Sequence, residues 1–147
     1  MDLHLRIDAD LAGTIEIELH ANTDAASTAA HLDCQRLSYD EIGGEGFNAS
    51  RHRSRQTLTQ ATLDELHRLL PSGPLATPSN APFALDGTTV TLTIGRGANA
   101  VEYSWCSRPP AGWECLREIV HFLVTAAGVA AYVDLHPDPP LGDTHTA

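Results

Sequence analysis

Between Asp86 and Gly128 the chain reads strand, tight turn, strand and capped amphipathic helix, and this run says more about the fold than any other. From Thr88 to Ile94 the apolar Val90, Leu92 and Ile94 alternate with threonines, which is the two-residue period of a strand with one buried face. Gly95 to Asn99 supplies residues that tolerate positive φ, as a hairpin turn requires. Val101, Tyr103 and Trp105 resume the alternation, and Pro109 and Pro110 end it. Trp113 to Ala127 then reads as helix. Leu116, Ile119, Val120 and Leu123 recur at helical spacing, and Gly128 is a natural C-cap.

The same periods recur upstream. Leu3, Leu5 and Ile7 predict a first strand, and Ile15, Ile17 and Leu19 a second, with Glu16 and Glu18 facing water and a turn from Asp8 to Gly13 between them. Ala21 to Ala30 has no period and reads as a loop or short helical turn. His31 to Tyr39 predicts a third strand with Leu37 and Tyr39 on one face. After the glycine-rich turn Asp40 to Gly46, Arg51 to Arg55 returns as a fourth. Thr59 or Thr62 can cap the next helix, Thr62 with Glu65 fitting a capping box. Leu63, Leu66, Leu69 and Leu70 form its buried stripe, and Pro71 stops it. Pro71 to Pro82 reads as an ordered or semi-rigid loop, and Ala130 to Leu135 as a short final strand. The expected fold is α+β: an antiparallel sheet covered on one face by two helices, in the order β-β-β-β-α-β-β-α. One domain spans residues 1–135, and the Pro-rich 136–147 is expected to be a mobile tail.

A length of 147 residues fits one domain, and a hydrophobic fraction of 42% suffices for its core. The formal net charge of −10 argues against nucleic acid and against anionic lipid as partners, because both would be repelled. It favours solubility and the steering of a basic partner. All nine basic residues are arginine, so neither a lysine Schiff base nor a lysine-anchored phosphate loop can exist here. Three cysteines, Cys34, Cys106 and Cys115, make a poor disulfide framework and a poor zinc site, so free thiols are expected, the one alternative being a bridge between Cys106 and Cys115 across the Pro-Pro turn. The N-terminus lacks the basic and apolar regions of a secretory signal, and no stretch approaches the roughly 18 to 20 apolar residues of a membrane span. A cytoplasmic protein is the expectation.

No catalytic signature appears. Gly43, Gly44 and Gly46 lack the lysine and following helix of a phosphate cradle, and Asp40, Glu41 and Glu45 would repel phosphate. Asp64 with His67 and Glu118 with His121 each share a helix face, but two helices occupied with covering a sheet cannot complete a di-metal set. No metal or cofactor is expected. Cys115 lies near a helix N-terminus, where Glu114 and Glu118 oppose thiolate formation. Arg51, Arg53 and Arg55 form the one basic cluster, read either as cross-strand partners for acids or as an interface anchor. Trp105 and Trp113 flank the two prolines and anchor the last helix, unless a ring is exposed for contact.

In order and spacing, Gly43 to Phe47, Arg51 to Arg55, Thr62 to Leu70 and Val90 to Leu123 resemble the emfourin-type inhibitors of thermolysin-like metalloproteases, which are small bacterial α+β proteins. The resemblance covers about half the chain, and the first hairpin and the tail lie outside it. It implies a class, a small protein that works by binding another protein, and no inhibitory residue is carried over. The leading expectation is therefore a non-enzymatic binding module, an inhibitor or immunity-type protein acting on another protein such as a protease or toxin. Glu45, Phe47, Arg51, Arg53, Arg55, Arg96, Trp105 and Trp113 are the candidate contacts. The alternatives are a small enzyme or ligand-binding domain with its pocket between sheet and helices, and a homodimer that pairs sheet edges or faces.

Overall fold

Six strands form one antiparallel sheet in the computed structural model: β1 (Asp2–Ala9), β2 (Gly13–Ala21), β3 (Ala30–Glu41), β4 (Phe47–Leu58), β5 (Thr88–Ile94) and β6 (Val101–Cys106). Helices α1 (Gln60–Leu69) and α2 (Glu114–Ala126) cover one of its faces, giving the expected α+β architecture and element order. The structure describes residues 1–9, 13–21, 30–41, 47–77 and 87–133, with side chains excepted at 39–41 and 47–49. The terminal segment 134–147 and the glycine turn at 42–46 lie outside the described residues.

The strand order is β4-β3-β2-β1-β5-β6. Hairpins grow outward from β1 on one side, and after α1 the chain returns to pair β5 with the free flank of β1. Leu5 therefore lies opposite both Ile17 and Leu92. The period-two alternation places Leu3, Leu5, Ile7, Ile15, Ile17, Leu19, Val90 and Leu92 on the helix side, each nearly inaccessible. Against them pack Leu63 and Leu66 of α1 and Leu116, Ile119, Val120, Leu123 and Val124 of α2. Each such side chain removed from water contributes about 1.5–3 kcal/mol.

Local chemistry explains the element ends. Thr59 is the N-cap of α1: its Oγ1 accepts the Thr62 amide at 3.2 Å. Thr62 is therefore the third helical residue and not a cap, and the expected Thr62–Glu65 capping box does not form. At the start of α2 the Glu114 carboxylate accepts the Gly112 amide at 2.9 and 3.1 Å. Gly128, at φ +72°, turns the chain away after the helix.

The rings of Tyr103 and Trp105 meet Trp113 edge to face, at 5.2 and 6.3 Å between centroids. Trp113 Nε1 donates to the Ala76 carbonyl and the Leu75 amide donates to Tyr103 Oη, so the described part of the Pro-rich loop is held against this aromatic cluster.

The expectation for the segment after α2 is corrected. Ala130–Tyr132 is a 3₁₀ turn and not the start of a strand. The Tyr132 amide bonds Val129, and the ring lies 3.8 Å from the Arg36 guanidinium carbon, a cation–π contact that holds this segment without a strand partner. In β3 the buried alternates are Ala30, Leu32 and Cys34, so the face carrying Leu37 is the open one. Leu32 and Cys34 are opposite Leu19 and Ile17 of the core, and this neighbour register decides the face. All three cysteines are free thiols.

Candidate functional site

The helix-free face of the sheet carries polar side chains from all six strands, with Leu37 among them. Register brings Thr93, His4, Glu18, Asp33 and Arg55 into one row, and Thr91, Arg6, Glu16, Gln35 and Arg53 into the next. Charges in these rows pair locally. Arg6 bonds Asp8 at 2.9 Å and Glu16 at 3.0 Å, and Thr14 Oγ1 donates to Asp8 at 2.9 Å. Arg55 grips Asp33 from the neighbouring strand with Nε at 2.6 Å and Nη2 at 3.0 Å. The bond from Arg55 holds the Asp33 carboxyl below the usual carboxylate range, and that from Arg6, helped by Thr14, does the same for Asp8 against the effect of partial burial. Glu16, Glu18, Asp33, Gln35, Arg53 and Arg55 line a shallow open cleft of about 400 Å³.

This face ends at β6 on one side and at β4 on the other, and of the two edge strands only β4 is exposed on both faces over a long run. Among the described residues β4 pairs only with β3, and it does so over all twelve of its positions. From Arg51 to Thr57 every residue is exposed, whichever face it occupies. Arg51, Arg53, Arg55 and Thr57 stand on the open face, opposite Leu37, Gln35, Asp33 and His31. His52, Ser54 and Gln56 stand on the helix side and are exposed there too. Leu58, opposite Ala30, joins the core. Moreover, β3 and β4 continue beyond β2, whose last partner in β3 is Ser38. The ribbon projects three residue pairs, about 10 Å, past the sheet.

The structure therefore gathers Arg51, Arg53 and Arg55 on one exposed flank. Arg55 is in an ion pair, as the structural reading of the cluster expects, while Arg51 and Arg53 have no partner among the described residues. Arg96 is exposed but sits in the turn after β5, four strands away, or about 19 Å. Trp105 and Trp113 are 7% and 8% exposed, so both leave the set of surface contacts: their rings complete the core that seats α2. Glu45 lies outside the described residues, as does the side chain of Phe47, whose backbone begins β4. His52, Ser54 and Gln56 were not among the sequence candidates. They become visible only when β4 is recognised as an edge, exposed on both sides.

The layer between sheet and helices contains no buried polar side chain among the described residues. A second cleft, about 410 Å³, lies outside that layer between α1 and α2, with Leu69, Phe122 and Ala126 at its floor and Glu65, Glu118 and His121 around it. No group of three or more metal-binding side chains is found among the described residues, and no helix there is long and apolar enough to cross a membrane. No protein-family model matches the chain, and no curated protein matches it in sequence.

Proposed function

We propose that the chain is a non-enzymatic protein-binding module that docks on its partner through the outer flank of its sheet, in the manner of an inhibitor or immunity-type protein. One observation carries this reading: a twelve-residue strand is paired on one side only, is exposed on both faces from Arg51 to Thr57, and holds two arginines without partners among the described residues. Arginine is enriched at the centres of protein interfaces, and loops and edges held by a packed scaffold are where binding residues collect. The resemblance to emfourin-type inhibitors agrees with this reading and makes a protease the first partner to try. The rival reading, a ligand pocket between sheet and helices, would need polar groups converging there, and the described side chains of that layer are apolar.

The test is affinity capture on the immobilised protein from lysate and culture supernatant of its host, run beside an Arg51→Glu/Arg53→Glu variant. A stoichiometric protein kept at moderate salt by the native chain and released by the variant is the expected result. Equal retention by both, or a purified sample that holds a small molecule and no protein, would remove the reading.

A further inference from the structure

We infer that β4 binds its partner by strand addition, and that the added strand is an extended acidic segment with carboxylates at alternate positions. This rests on the protein-binding reading and gives it a mode and a chemistry.

An edge strand directs every second amide and carbonyl outward, and those of β4 are not taken up by any strand among the described residues. Such an edge is a template for one more strand, and antiparallel addition continues the pattern of the whole sheet.

The side chains select what can be added. Arg51, Arg53 and Arg55 project from one face at a spacing of about 6.7 Å, the distance between alternate residues of any strand laid beside them. An added strand with acids at those positions would place each carboxylate directly opposite a guanidinium. Arg51 and Arg53 have no partner among the described residues, and Arg55 already spends Nε and Nη2 on Asp33 but keeps Nη1. The chain's net charge of −10 repels an acidic segment at long range, so the attraction is local: among the described side chains the arginines stand nearer to the added strand than any acid of the open face. Asp33 lies one strand further in, on the far side of β4, and Glu16 and Glu18 lie two strands in.

A second copy of the chain is a poor occupant of the same edge. Antiparallel pairing keeps each face on its own side, so β4 against β4 sets the arginine face of one copy beside the arginine face of the other. Centred anywhere between Arg51 and Arg55, that register puts arginine opposite arginine. The charge that attracts an acidic strand thus also keeps the edge from pairing with itself.

The test uses a blocked seven-residue probe of alternating threonine and glutamate, and its twin with lysine for glutamate, titrated into the ¹⁵N-labelled full chain. The glutamate probe is expected to saturate shifts in the Arg51–Thr57 amides and to slow their hydrogen exchange. It should bind about tenfold more tightly than the lysine twin, and Arg51→Ser/Arg53→Ser should erase that preference while Arg51→Lys/Arg53→Lys keeps it. Equal binding of the two probes, shifts that map away from β4, or no saturation by the glutamate probe would each overturn the inference. So would self-association of the serine variant in a chain whose native form ignores the probe, since the arginines would then only guard the edge. If the captured partner is lost on substituting Arg51 and Arg53 but the probe fails, strand addition falls and the binding-module reading stands.

Discussion

Asp33 and Arg55 meet as a two-point fork across neighbouring strands, and Asp8 is held by Arg6 and Thr14 on the same face. Both carboxyls ionise below their ordinary range in the folded chain. The direction of the pH effect follows. Above the unfolded value, near pH 4, both states are ionised and the full stabilisation is present. As pH falls through the lower folded value the carboxylates protonate and the stabilisation is lost. Urea midpoints between pH 5 and pH 2 should therefore fall less steeply for Asp8→Asn/Asp33→Asn than for the native chain, with only a small difference at pH 7, because exposed pairs contribute little. Parallel acid limbs would show that neither pair matters to folding. Cysteine reactivity separates in the same way. Burial pushes the Cys34 thiol up, while Cys106 and Cys115 are half-buried. Native protein should thus titrate two thiols with a disulfide reagent, and the third only on unfolding.

At the scale of elements, ends and crossings are decided by single residues. Thr59→Ala removes the side-chain acceptor for the Thr62 amide and should cost about 1 kcal/mol, read from the shift of the urea midpoint. Gly13 opens β2 at φ +124°, where an added Cβ would collide with the Leu37 carbonyl oxygen of β3. Gly13→Ala should therefore cost at least about 1–3 kcal/mol, and a neutral result would mean that β2 can shift away from β3 at that end. These elements differ in how readable they are from sequence. Clean alternation in Thr88–Ile94 and the leucine stripe of α1 announce themselves, because burial of one face dictates the pattern. The faces of β3 are harder to read, since Leu37 is as apolar as Leu32 and only pairing with Leu19 and Ile17 settles which is buried. The arginine cluster is visible in sequence. Its partner Asp33 follows only once the hairpin is known to be symmetric about position 44, and the burial of Trp105 and Trp113 only once α2 is docked.

Across the whole molecule the sheet is stabilised unevenly. Its buried side chains come from β1, β2, β3, β5, β6 and both helices, whereas among the described side chains of β4 only Leu58 is buried. Strands with few buried apolar contacts open locally, at a free energy well below that of global unfolding. The amides of Arg51–Thr57 should therefore exchange orders of magnitude faster than those of Leu5, Ile17 and Leu92. A core substitution separates the two processes. Leu5→Ala, at a position with no exposure, should remove about 2–5 kcal/mol from global stability. The central amides should then exchange faster by that same free energy, while those of β4, which open without unfolding the core, should keep their native rate. Equal slowing of exchange in β4 and β1, or parallel acceleration of both by Leu5→Ala, would mean that the edge is locked to the core. An edge that opens on its own can adjust its backbone to an incoming strand without disturbing the layer that holds it in place, and this independence is what a docking strand on a rigid sheet requires.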